Sequence, residues 1–331
     1  MLFEFRSNTH ARIDTNITRY TSIATAKSAY NRPTPHSPLK KPMNIFNIVS
    51  LMRTHHYVKN IFIFLPLFFA QKITDQALLT NTIIAFLAFS ILASAIYILN
   101  DYHDIEEDRL HPRKKNRPLA SGAITKTQAI FLMIALSAAS FTLITTLSVE
   151  ATKILVAYAI INITYSLYLK HVAILDITII ATGFVLRLFI GSEVTNIPLS
   201  MWIVIMTFLL ALFLALAKRR DDVLLYLDTG KKTRKVIDGY NLQFLDGAMM
   251  VMASVVIVAY TVYTTSQEVI DRTQSEYIYL TAIFVILGIM RYLQITYVLK
   301  NSGSPTRIAL TDRFMQLTLL GWIFSFTWII Y

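Results

Sequence analysis

The chain has 331 residues, 55% of them hydrophobic and 15% charged, with no cysteine and a formal net charge of +11. Soluble domains carry about a quarter charged residues, so this balance favours a membrane protein, and the absence of cysteine excludes disulfides, thiol catalysis and cysteine metal sites. The positive charge falls in short loops between apolar segments and forms no basic stripe with interleaved aromatics, which argues against nucleic acid as a partner and for a topology signal.

Residues 1–42 are polar, with Pro33, Pro35, Pro38 and Pro42 close together and scattered Arg and Lys. They predict a disordered, basic N-terminal tail. They lack the apolar core of about 7 to 15 residues that a secretory leader needs. Met43 begins the recognisable domain, so residues 1–42 are read either as an over-called start or as a cytoplasmic tail. Residues 43–331 read as one all-α transmembrane catalytic domain.

Apolar stretches long enough to cross about 30 Å of hydrocarbon fall at 57–74, 77–99, 128–148, 152–169, 173–192, 200–217, 247–266, 276–293 and 313–331. They predict a bundle of nine transmembrane helices. Arg109, Arg113, Lys114, Lys115, Arg117 and Lys126 fill the 100–127 loop. Lys218, Arg219, Arg220, Lys231, Lys232, Arg234 and Lys235 fill the 218–246 loop. Alternate connections hold only Lys72, Lys153 and Arg272. Cationic loops stay cytoplasmic, which predicts a multi-pass protein of the inner (plasma) membrane, N-terminus inside and C-terminus outside, with its site on the cytoplasmic side.

The second span ends in Asn100-Asp101-x-x-Asp104-x-x-x-Asp108. On a continuous helix all four fall within about 100° of one another. Three grouped carboxylates at a bilayer edge are costly without a compensating cation. Mg²⁺ takes oxygen ligands and bridges carboxylates to substrate phosphates, so Asn100, Asp101, Asp104 and Asp108 are the candidate metal residues. Asp101, Asp104 and Asp108 are also the candidate catalytic residues. The competing reading is a solvated acidic cap. Glu106 and Glu107 point elsewhere and read as solvated. The following His111-Pro112-Arg113-Lys114-Lys115-Asn116-Arg117-Pro118 presents cations just beyond the acids. Arg117 can grip phosphate oxygens in bidentate fashion, and Arg113, Lys114 and Lys115 suffice as positive-inside anchors.

Asn-Asp-x-x-Asp-x-x-x-Asp followed by Arg117-Pro118-Leu119 resembles the first signature of the UbiA superfamily of intramembrane prenyltransferases, a likeness covering roughly residues 45–331. That resemblance implies a nine-helix fold holding an isoprenoid diphosphate through Mg²⁺. Most members carry a second motif, Asp-x-x-x-Asp, after the sixth helix. Here the segment reads Ala217-Lys218-Arg219-Arg220-Asp221-Asp222, cationic first. The departure is similar to the polyprenyl-phosphate (decaprenyl-phosphate) phosphoribosyltransferase branch. So are Tyr57-Val58-Lys59-Asn60, Tyr165-Ser166-Leu167-Tyr168-Leu169-Lys170-His171 and Gly183-Phe184-Val185-Leu186-Arg187. The resemblance implies phosphoribosyl diphosphate as donor, a polyprenyl phosphate as acceptor, and a sugar-donating lipid for cell-envelope glycans as product.

Lys170, Lys218 and Arg219 end helices on the cytoplasmic side, where they either hold substrate phosphates or anchor the bundle. Arg187, inside an apolar span, either binds an anionic head group or pairs with a buried acid such as Asp176. Lys59 sits at a membrane boundary, where snorkelling competes with a binding role, and Tyr165 or Tyr97 lines the site at most. His55 and His56 read as interface residues. Asp221 and Asp222 balance Lys218 to Arg220 or serve a second metal. A UbiA prenyltransferase acting on an aromatic acceptor such as 4-hydroxybenzoate, an anion transporter and a scaffold are the alternatives. Oligomeric state is left open, a homo-oligomer included.

Overall fold

The computed structural model describes residues 44–110, 114–230, 235–300 and 305–330. The expected tail over 1–42 lies outside them, as do Arg113 and Lys231, Lys232 and Arg234 of the loops. Every regular element among the described residues is helical. The chain enters through α1 (Ile45–Met52), a 3-10 segment (Thr54–Phe64) and α2 (Leu65–Phe69), then runs through α3 (Gln76–His103) and the short α4 (Ile105–Leu110). Next come α5 (Lys126–Thr145), α6 (Val149–Leu167), α7 (Leu175–Thr195) and α8 (Met201–Thr229). The remainder is α9 (Leu242–Thr264), α10 (Gln267–Thr273), α11 (Ala282–Tyr297), α12 (Pro305–Thr311) and α13 (Arg313–Ile330).

Helix starts follow sequence. The Asp75 carboxylate accepts from the Ala77 and Leu78 N–H groups ahead of α3. Thr125 and Gln128 form a reciprocal capping box on α5, and Ser148, Ser200 and Asn241 cap α6, α8 and α9. Each such cap is worth about 1 kcal/mol.

Among the described residues, seven of the expected spans are helices long and apolar enough to cross a membrane. The other two differ for physical reasons. The first span is broken: Thr54–Phe64 winds as a 3-10 helix and passes to α2 at Pro66. The fourth, α6, is a regular helix of 19 residues, but Glu150, Lys153 and Asn162 dilute its hydropathy.

α3 packs against α5, α6, α7 and the 3-10 segment. Its buried face carries Ala85, Ala88, Ser90, Ala93, Ser94 and Ala95, small residues that let neighbouring helices approach closely, as packing within lipid requires. Phe89, Leu92, Leu155, Tyr158 and Ile190 fill the layer between α3, α6 and α7. α7 in turn needs Gly191, because a Cβ there would collide with the Ile63 carbonyl of the 3-10 segment. A second layer joins α8, α9 and α11 through Phe213, Leu216, Met249 and Tyr292. Phe68, Tyr260, Tyr263, Trp322 and Phe326 cluster at the opposite end of the bundle from the acidic run.

Candidate active site

The acidic run is not one helix. α3 stops at His103, Asp104 sits at φ −91°, ψ 8°, and α4 restarts at Ile105. The turn stays closed, since Asp104 N–H donates to the Asn100 carbonyl at 3.0 Å and Asp108 N–H to the Asp104 carbonyl at 2.8 Å. The break redistributes the carboxylates expected on a single face. Asp101 and Asp108 are both buried and turn to one cation: Arg117 Nη1 donates to Asp101 Oδ1 at 3.0 Å and to Asp108 Oδ2 at 2.6 Å. Arg53 Nη2 adds a 2.5 Å bond to Asp101, and Lys114 lies 3.8 Å from Asp108. Asp104 turns the other way, accepting from Asn100 Nδ2 at 3.0 Å and from Lys170 Nζ at 2.7 Å.

Sequence reading passed over Arg53. A single arginine ahead of an apolar run is indistinguishable from a topology anchor. Glu106 pairs on the surface with Arg109, consistent with its expected solvation.

The 218–222 segment, continuous within α8, is closed by ion pairs. Arg219, 1% exposed, donates to Asp176 and, at 2.6 Å, to Asp222. The neighbouring Arg220 binds Asp246 at 2.6 Å and lies over the Tyr297 ring. Tyr165 is within electrostatic reach of Arg219. Tyr240, another residue the sequence did not flag, donates to Asp176 Oδ1 at 2.6 Å and accepts from the Ile174 N–H at 2.7 Å. That acceptance holds Ile174 at φ +69°, a conformation costly for a β-branched residue. Burial first, then donation to Asp176, pushes the Tyr240 phenol up.

Arg187 does not meet Asp176. Its Nε donates to Asn60 Oδ1 at 2.8 Å and its Nη1 to the Gly183 carbonyl at 2.5 Å. The guanidinium is flanked by Phe89, Phe184 and Tyr158, with ring centres 4.6, 5.1 and 5.4 Å away. Lys59 lies where it feels both Arg187 and Arg53, and Lys218 acts on nearby His56. Of the site residues expected from sequence, Asp101, Asp108 and Arg117 form one group, Asn100, Asp104 and Lys170 a second, Arg219 and Tyr165 a third beside Asp176 and Asp222, and Lys59 and Arg187 a fourth, while Lys218 lies near His56.

No cluster of three or more acids or histidines forms a closed metal cage among the described residues. The donor set nonetheless suits a hard divalent ion, because it is all carboxylate and amide oxygen. That one guanidinium nitrogen bridges Asp101 and Asp108 also marks a point between them where positive charge is accommodated.

A family model described as the UbiA prenyltransferase family matches residues 61–320. The chain belongs to this family. It is 32% identical over 246 residues to a decaprenyl-phosphate phosphoribosyltransferase of Mycolicibacterium smegmatis, covering 72% of this chain and 77% of that protein. It is 29% identical over 295 residues to the decaprenyl-phosphate phosphoribosyltransferase of Corynebacterium glutamicum, covering 88% and 89%. The fold is similar to the structure of a UbiA homolog from Archaeoglobus fulgidus bound to DMAPP and Mg²⁺, with a TM-score of 0.65, 18% identity, and coverage of 86% of this chain and 99% of that one. The UbiA fold is therefore that of a multi-pass membrane protein here, with the acidic run and Arg117 inside the matched region.

Proposed function

We propose that this UbiA-family protein transfers the 5-phosphoribosyl group of phosphoribosyl diphosphate to a polyprenyl phosphate and releases diphosphate, making a lipid-linked sugar for cell-envelope glycans. The observation that carries the proposal is the closed 218–222 segment. Where prenyltransferases of this family place a second aspartate pair, Asp222 is taken up by Arg219 at 2.6 Å. The names borne by relatives at 29 and 32% identity support the same reading.

Asn100, Asp101, Asp104 and Asp108 would hold Mg²⁺, which supplies charge neutralisation for a departing diphosphate. Arg117 and Lys170 already touch these carboxylates and would be placed beside the metal to bind diphosphate oxygens. Fixed cations aimed at the leaving group stabilise the charge that develops as the anomeric C–O bond breaks. A phosphate oxygen of the acceptor forms the new bond to that carbon from the opposite face, inverting its configuration. The acceptor is already an anion, so no Ser-His-Asp arrangement is needed. By the distribution of loop cations this chemistry takes place at the cytoplasmic face of the plasma membrane, with the N-terminus inside.

The test is purified protein in membranes with polyprenyl phosphate and radiolabelled phosphoribosyl diphosphate, with and without Mg²⁺. A labelled lipid product that forms only with the metal is expected. Transfer from a prenyl diphosphate to 4-hydroxybenzoate instead would replace this reading with ordinary prenyl transfer.

A further inference from the structure

Two neighbouring cations, one buried and one half-buried, have no acid partner among the described residues. Arg187 is 6% exposed, and its bonds go to a side-chain amide and a backbone carbonyl, both neutral. Lys59 on the adjoining 3-10 segment forms no ion pair with any described residue, and its electrostatic neighbours are Arg187 and Arg53. A buried charge left without a counter-ion costs several kcal/mol. Cation–π attraction to three aromatic faces offsets part of that cost, but neutral rings and neutral acceptors leave the net charge in place. Elsewhere in the interior the protein does supply acids: Arg219 has Asp176 and Asp222, and Arg220 has Asp246. The missing acid beside Arg187 and Lys59 is therefore specific to this spot.

The group is continuous with the acidic run. Tyr97 is within reach of both Arg187 and Arg53, and Arg53 is itself bonded to Asp101 and stacked over Tyr97 at 5.1 Å. α7 begins at the acidic-run end, near Asp176. Helical side chains tilt toward their N-terminus, so the Arg187 guanidinium leans toward that end, as its bond back to Gly183 shows. His56, under the influence of Lys59, Arg53 and Lys218, keeps a buried Nδ1 with no hydrogen-bond partner. Among the described residues, a polar nitrogen without a partner and two cations without acids lie together next to the proposed diphosphate site.

We infer that Lys59 and Arg187, with His56 at their edge, form a second anion site that takes a phosphate monoester, separate from the diphosphate held at the acidic run. This rests on the proposed transfer for the identity of the ligand, since both the acceptor's lipid phosphate and the donor's 5-phosphate are monoesters. Arg187 is preset by Asn60 and its rings, and Lys59 supplies the mobile ammonium that closes on the ligand.

The experiment uses the full chain in detergent, with thermal stabilisation and direct titration by three probes: inorganic phosphate, a short prenyl phosphate and phosphoribosyl diphosphate. The variants are Lys59→Met, which removes no observed hydrogen bond, and Arg187→Lys, which keeps the charge but loses the fork. Both are expected to weaken inorganic phosphate at least ten-fold. If the prenyl phosphate weakens equally while phosphoribosyl diphosphate does not, the lipid headgroup is the occupant. The reverse pattern assigns the pocket to the 5-phosphate. Unchanged affinity for all three probes in Lys59→Met overturns the site. Loss of inorganic phosphate binding in a protein that makes no phosphoribosyl lipid would keep the pocket and discard the proposed transfer.

Discussion

Lys170 Nζ lies 2.7 Å from Asp104 Oδ1 although 66 positions separate them in sequence. This bond ties the acid at the break between α3 and α4 to the 3-10 turn Leu169–His171 just beyond α6. Asp104→Asn keeps the hydrogen bond from Asn100 and removes the charge. It is expected to lower turnover by about 10² to 10³ with an unchanged melting temperature. Activity within a few-fold of wild type would remove Asp104 from the metal-binding set.

Arg219 and Asp176 are 1% and 0% exposed. Removing one partner of such a pair leaves a buried charge and costs about 3–5 kcal/mol. Asp176→Asn should therefore lower the melting temperature far more than Asp222→Asn, whose carboxylate is 20% exposed. Equal shifts in the two variants would mean that the Arg219 charge is satisfied mainly at the surface.

Tyr240 ties the segment after α8 to the start of α7. With its pKa pushed above the ordinary tyrosine value, its contribution is complete below about pH 10 and is lost as pH rises through the raised value. Tyr240→Phe is expected to cost about 1–3 kcal/mol at neutral pH. The gap to wild type should narrow above pH 10, as read by thermal unfolding across pH. A gap that widens with alkalinity would contradict the assigned donor.

Gly191→Ala places a methyl against the Ile63 carbonyl, a backbone atom that cannot swing away. Overpacking of this kind costs about 1–3 kcal/mol. Because Ile63 is one 3-10 turn from Asn60, the same substitution should also weaken phosphate binding at Arg187. A variant with wild-type stability would show that the first span yields without strain.

Much of this was legible in the sequence. The length and hydropathy of α3, α5 and α8 make them membrane spans by arithmetic, and the alternation of acids and cations from Asn100 to Arg117 marks residues that the fold brings into contact. The broken first span was not legible, because a 3-10 segment and an α-helix share the same apolar composition. Nor was the splitting of the acids. Wheel geometry assumes an unbroken helix, whereas the turn at Asp104 sends that acid to Lys170 and leaves Asp101 and Asp108 on Arg117. Arg187 looked equally suited to an acid or a ligand. Finding Asn60 and three rings around it, with Asp176 committed to Arg219, required the packed bundle.

The interruption at Asp104 divides the site between two kinds of support. Asp101 belongs to a helix locked into the bundle by small residues, whereas Asp108 and Arg117 belong to the connecting segment beyond it. That connection is itself packed, because Ile105, Leu119 and Ile124 are buried with Leu51, Ile98 and Ala129 of α1, α3 and α5. The spacing of Asp101 and Asp108 across the interruption is thus set by apolar packing on both sides of it, so a substitution in that cluster would reach the acids without touching them.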